Sequence, residues 1–169
     1  MPPSAGAYHN SVMGGLYSVI RFYLRQNKNG YVFTDSLDVH LPDGNLFKPD
    51  LFIVKAENSG IINWKGAVHG VPDMVVEVLS RSTKKNDLTI KKDIYESNGV
   101  KEYWIIDPWA KSVTVYILRD GKFQFDHEYF KCDADEWESF DDEEKAAYKA
   151  EIKLSIFEDC IVNINDIFD

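Results

Sequence analysis

Glu77 stands inside MVVEVL (74–79), a run that is otherwise wholly apolar. A carboxylate there would sit inside a sheet, where an unpaired charge costs several kcal/mol. A cation, a Lys or Arg, or a proton must satisfy it. Strand alternation puts Asp73, Val75, Glu77 and Leu79 on one face. Asp73 is four residues from Glu77, a span of roughly 13 Å at about 3.3 Å per residue, too long to share one ion directly. Asp50, at the entry of the apolar run LFIV (51–54), is the better partner if the two strands are neighbours. Each acid also has a purely structural reading: a buried ion pair for Glu77, and strand-entry carboxylates for Asp50 after Pro49 and Asp73 after Pro72.

A helix is expected over about 84–97, ending at Asn98 and Gly99. On it Leu88, Lys91 and Tyr95 fall at i, i+3 and i+7, with Ile94 adjoining. Lys91 therefore lies on the sheet-facing stripe. It either snorkels out along its stem or points its ammonium at Glu77. Arg81, Lys84, Lys85 and Lys92 surround it, so residues 81–92 hold five bases against the single acid Asp87. Such a run is a solvated face or, directly after a strand with a buried Glu, a place for a phosphate-bearing substrate.

These residue types suit one chemistry. Two carboxylates hold a hard cation such as Mg²⁺ or Mn²⁺ that can bridge to phosphate oxygens. The ion activates a bound water and neutralises charge on the phosphoryl transition state. A nearby ammonium orients that water or stabilises the developing charge. Together they are the parts of metal-assisted phosphodiester hydrolysis.

The elements that must position these residues are legible in the pattern. Residues 8–26 carry Val12, Leu16, Val19, Ile20 and Tyr23 at helical spacing, with His9 on the stripe of Val12, Met13 and Leu16. Strands follow at about 31–41, with Leu37, Val39 and Leu41 on one face, and at 47–54, before a long loop over 55–71. The run 71–80 reads as a central strand covered on both faces. Beyond the second helix come strands at 102–107, 112–118 and 122–130, a short helix near 141–152, and a C-terminal apolar strand or helical turn. The 169 residues fit a single α/β or α+β domain, helices packed on a mixed sheet.

The formal net charge of −9 argues at first against a duplex-DNA ligand. It is not spread evenly. Residues 126–151 hold 11 acids and three lysines, which leaves 17 acids and 16 bases elsewhere. The acidity belongs to one segment, read as a solvated insertion at about 132–150, with a nucleic-acid mimic or a guard over a basic site as the alternative. Cys132 and Cys160 show no zinc-type spacing. No signal peptide or membrane span is expected, and a cytoplasmic, reduced setting is the default.

The blocks KPDLFIV (48–54), VPDMVVEVLSRST (71–83) and DLTIKKDIYESNGVKEYWIIDP (87–108), with the closing LSIFEDCIVNINDIF, resemble the Uma-two family of bacterial restriction-endonuclease-like proteins in the PD-(D/E)XK superfamily. The likeness covers about 7–130 and 152–168 and leaves the acidic segment as an insertion. It implies a restriction-endonuclease-like mixed sheet flanked by helices, and a metal-dependent endonuclease acting on DNA. It matches Asp50 and Glu77 to metal acids, with the Val78 main-chain carbonyl as a further ligand. The lysine expected two residues after Glu77 is replaced by Leu79; relatives of this type carry the ammonium on the next helix, where Lys91 matches. His9 matches a histidine near the start of the first helix. Asp73 and Arg81 are further candidates. Tyr95 and Asp107 also match family positions, and packing and turn formation account for them. The alternative is a non-catalytic descendant that binds nucleic acid or protein. A homodimer is compatible with either.

Overall fold

The computed structural model describes the backbone of residues 5–80 and 85–168, and the side chains of 6–80 and 88–168. Arg81 and Lys84 lie outside the described residues, as does the side chain of Lys85.

The chain opens with α1 (Ala5–Asn27), β1 (Gly30–Thr34), β2 (Val39–His40), β3 (Leu46–Phe47) and β4 (Leu51–Lys55). A 3-10 helix (Ala56–Ile61), β5 (Val68–His69), β6 (Met74–Val78) and α2 (Lys85–Asn98) follow. Then come β7 (Glu102–Asp107), β8 (Ser112–Arg119), β9 (Lys122–Phe130), α3 (Ala134–Ser139) and α4 (Asp142–Ala147). β10 (Glu151–Lys153), β11 (Ile161–Asn163) and α5 (Ile164–Ile167) end it.

Six strands form the main sheet in the order β1-β4-β6-β7-β8-β9. All neighbours are antiparallel except β6 and β7, which run parallel because α2 carries the chain back between them. β6 is therefore interior to the sheet, and all five of its residues are buried. This is the outcome its near-continuous apolar run predicts. A three-stranded sheet, β3-β2-β5, and the β10-β11 pair complete the strands.

The expected strand over 31–41 is two strands in different sheets. Ser36 N–H bonds the Thr34 carbonyl and turns the chain, so β1 pairs β4 while Val39 pairs with Phe47 and Val68. The expected strand over 47–54 is likewise divided, since Pro49 has no N–H to give a ladder.

Each face of the main sheet carries one apolar layer. On one, Val12, Leu16, Ile20 and Leu24 of α1 are buried at helical spacing against Leu51, Ile53, Met74, Val76 and Trp104. On the other, Phe52, Val54, Val75 and Tyr103 pack under Tyr95 of α2. α2 ends in a Schellman motif: Val100 N–H bonds the Tyr95 carbonyl, Gly99 N–H bonds the Glu96 carbonyl, and Gly99 takes φ 86°. Buried Val100 and this cap fix the axial position of α2, and with it the height of Tyr95 and Lys91 above the sheet. On the α1 side, a Cβ at Gly15 would collide with the carbonyl oxygen of Asp166, so only glycine lets α5 pack here.

The acidic segment forms α3 and α4, each opened by a capping box in which an Asp (Asp133, Asp141) and a Glu three residues on (Glu136, Glu144) bond each other's backbone. The sequence pattern signalled only one of these helices. Cys132 and Cys160 are free thiols. Among the described residues no helix is long and apolar enough to cross a membrane.

Candidate active site

Glu77 is 3% exposed, and it is not alone. Lys91 Nζ donates to Oε2 at 2.9 Å, and Tyr95 Oη donates to Oε1 at 2.8 Å. The two donors sit at i and i+4 of α2, one above the other on the face that covers β6. The lysine on the apolar stripe is thus the partner of the buried carboxylate. Tyr95, attributed above to packing, has a second role as the other half of that clamp. Burial pushes the Glu77 carboxyl above the ordinary range, opposed first by the Lys91 charge. The same burial, with the Glu77 charge beside it, pushes the Tyr95 hydroxyl far up, so it remains a donor.

Asp50 stands one step beyond the Leu51–Val76 pair of β4 and β6, beside Glu77 on the adjoining strand. Its Oδ2 accepts from Val78 N–H at 2.7 Å. Its Oδ1 lies 3.3 Å from His9 Nε2. The hydrogen bond to Asp50 is the main cause that holds the His9 imidazolium form above its usual range, against the lowering effect of burial. His9 comes from the first turns of α1 and Lys91 from α2. The cluster therefore lies where both helical layers meet the end of β6. A cavity of about 400 Å³, lined by Asn10, Met13, Tyr17, Thr34 and Asp35 among others, opens beside Asp50.

Four of the sequence-selected residues, His9, Asp50, Glu77 and Lys91, are thus brought together. Val78 joins them through its backbone: N–H and C=O of one strand residue project to the same edge, so its carbonyl faces the Asp50 side. Leu79 gives its N–H to the Ile106 carbonyl, and no ammonium stands at that position. Asp73 is not part of the cluster. Its carboxylate, 3% exposed, accepts from Lys55 N–H, Asn58 Nδ2 and Lys101 Nζ at 2.8, 3.1 and 2.9 Å. It ties β4, the 3-10 helix and the start of β7 together. Asp107 accepts from the N–H groups of Trp109 and Ala110 and makes the expected turn.

One buried acid escaped the sequence reading. Glu102 is fully buried and accepts from Trp104 Nε1, from Ser155 N–H and Oγ, and from Ile156 N–H. It anchors the segment after β10 to the sheet. Its only local signal is Trp104 two residues on; the other donors lie more than 50 residues away.

Among the described residues no three His, Cys, Asp or Glu side chains form a metal-binding group. The donor set instead consists of two adjacent carboxylates and a strand carbonyl directed to the same edge. All are hard oxygen donors, the type Mg²⁺ and Mn²⁺ take. Each carboxylate has one basic side chain beside it, Lys91 at Glu77 and His9 at Asp50.

The Uma2 family model, described as "Putative restriction endonuclease", matches residues 1–138. The fold is similar to a crystal structure from Anabaena variabilis described as a "putative nuclease belonging to DUF820". The TM-score is 0.69 and the identity 19%, covering 99% of this chain and 82% of that one. Among curated proteins none matches. The matched region includes all of β4, β6 and α2, the elements that build the cluster, and over that length the chain belongs to the Uma2 (Uma-two) family.

Proposed function

We propose that this protein is a metal-dependent endonuclease that hydrolyses phosphodiester bonds in DNA. The observation that supports it most is the convergence of Asp50, the Val78 backbone, Glu77 and Lys91 at the end of one interior strand. A purely structural ion pair under α2 has no use for Asp50 and His9 beside it.

Asp50 and Glu77, with the Val78 carbonyl, would hold Mg²⁺ or Mn²⁺, which supplies an activated water and charge neutralisation at the phosphoryl group. The chain's own residues do the rest. Lys91 keeps an ammonium next to the reacting phosphate and orients the attacking water. Tyr95 holds the Glu77 carboxylate in one orientation, so that only one oxygen turns to Lys91. Val78 N–H fixes the Asp50 rotamer in the same way. His9 would hold a proton at Nε2 facing Asp50 Oδ1, 3.3 Å away. The near-neutral remainder of the surface permits a polyanion to approach, while the acidic α3–α4 segment is an insertion that keeps non-specific duplex binding weak.

The test is incubation of purified protein with supercoiled, linear and single-stranded DNA in Mg²⁺, Mn²⁺ or EDTA. Cleavage with either ion and not with EDTA is expected, lost by at least about 100-fold in Asp50→Ala and Glu77→Ala. DNA binding without cleavage under all these conditions would instead support a nuclease-like binding module.

A further inference from the structure

His40 and His69 form a pair outside the candidate active site. They are register partners on β2 and β5, which run parallel. Their rings stack, with centroids 4.6 Å apart and planes 13° apart. Both residues are exposed. The preceding residues Val39 and Val68 are buried in the layer that holds Tyr95, so strand alternation turns both imidazoles outward. As a cross-strand aromatic contact the stack is worth at most about 1 kcal/mol. It leaves the ring nitrogens of both residues without a hydrogen-bond or ion-pair partner among the described residues.

We propose that His40 and His69 together bind one late first-row divalent ion, Zn²⁺, Ni²⁺ or Cu²⁺, at a site separate from Asp50 and Glu77. Imidazole nitrogen suits those ions, whereas Mg²⁺ takes oxygen donors. Zn–N bonds are about 2.0–2.1 Å long, so a tetrahedral ion needs two nitrogens roughly 3.4 Å apart. Adjacent strands hold the two backbones about 4.8 Å apart, and rotation of two exposed side chains closes the remaining gap. The ion lies in the plane of each imidazole, so the rings fan from their stack at the edge that binds it. The backbone beneath them is fixed. Gly70 N–H bonds the His40 carbonyl. A Cβ at Gly70 would meet Cγ2 of Ile61 at 2.6 Å, and Gly70 takes φ 146°, so glycine alone fits directly after His69. Two ligands anchored side by side lose little freedom on binding, which favours a chelate over two separate imidazoles. The surrounding charge does not oppose a cation. Asp38 and Lys48, each two residues from the His40–Leu46 register pair, are joined to each other at 3.4 Å and carry no net charge together. Two protein ligands leave the ion's other positions open to water. The ion would tie β2 to β5 and close the chain between residues 40 and 69, a span that includes β3 and β4. The inference does not depend on the nuclease reading.

The test titrates the untagged full chain with Zn²⁺ and follows the imidazole signals in a ¹H–¹⁵N spectrum. The chain has four histidines, and His40→Gln and His69→Gln each remove one signal and so assign it. The His40 and His69 signals should move together and saturate with one midpoint, while His127 stays in place. Mg²⁺ at the same concentration should move neither ring. In His69→Gln the midpoint read at His40 should rise about tenfold or more, since even the outer partners of a metal ligand are worth roughly 10–100-fold in affinity. His40→Gln should do the same to the midpoint read at His69. The Trp104 indole N–H, bonded to Glu102, should hold its position and report an intact fold in both variants. Rings unmoved at millimolar Zn²⁺ would overturn the proposal. So would separate midpoints for the two rings, unchanged midpoints in both variants, or an equal shift at His127. His9 lies beside Asp50, so its own signal reads an ion at that cluster, and failure of one site is distinguishable from failure of the other.

Discussion

Lys91 meets Glu77 across the helix–sheet gap at 2.9 Å, and the carboxylate it meets is 4% exposed as a side chain while the lysine is 28% exposed. The pair is asymmetric: the acid is locked in, and the base has a route to solvent. Removal of the lysine should therefore strand the acid. We expect Lys91→Met to lower stability by about 1–3 kcal/mol, below the range for a fully buried pair because Lys91 is partly solvated. The double variant Lys91→Met/Glu77→Gln should recover most of the loss. Urea unfolding of wild type, Lys91→Met, Glu77→Gln and the double variant checks this. A loss under about 0.5 kcal/mol in Lys91→Met would mean the pair behaves like a surface contact.

Asp73 should separate stability from chemistry. Its three donors come from three different segments. Asp73→Ala leaves Lys55 N–H without its acceptor and the Asn58 amide with the Val71 carbonyl alone, and we expect a cost of about 2–4 kcal/mol. DNA cleavage per folded molecule should be unchanged. Cleavage that falls far more than the folded fraction would return Asp73 to the active site.

The contrast between Asp73 and Glu77 shows what a single sequence carries. A strand and the helix that follows it obey fixed periods of 2 and 3.6, and each placed its charged residue on the buried side, so the pattern offered Lys91 as a partner for Glu77 with snorkelling as the alternative. Asp50 followed once the strands were taken as neighbours, and β4 does pair with β6. Tyr95 was on the same stripe and its role was readable in principle; a tyrosine on an apolar stripe packs so often that its hydroxyl carried no separate signal. Glu102 was not readable, since Ser155 and Ile156 reach it only through the tertiary arrangement of the C-terminal segment. The division of 31–41 between two sheets was hidden for a related reason: alternation over 37–41 holds on either side of a turn, and nothing in it marks the change of sheet.

Glu102 makes the pH dependence of stability specific. Burial raises its carboxyl above the ordinary 4.5, against the four donors that favour the charged form. With the folded value above the unfolded one, its contribution is full below about 4.5 and is lost as pH rises through the folded value. Glu102→Gln lacks that loss. The difference in unfolding free energy between wild type and Glu102→Gln should therefore shrink as pH rises above about 4.5. Denaturant melts across that window measure it. A difference that grows with pH would show that the donors outweigh burial and hold the carboxyl below its ordinary range.

The proposed chemistry requires that Asp50 and Glu77 together receive a divalent cation. Thermal unfolding with increasing Mn²⁺ tests it without any assumption about substrate. A ligand held only by the folded state contributes about 2.7 kcal/mol at 100 times its Kd, which corresponds to roughly 5–10 °C for a chain of this size. The prediction is a rise of that order in wild type and in Asp73→Asn, and none in Asp50→Asn or Glu77→Gln. A melting temperature indifferent to Mn²⁺ in wild type, or an equal rise in all four proteins, would contradict it.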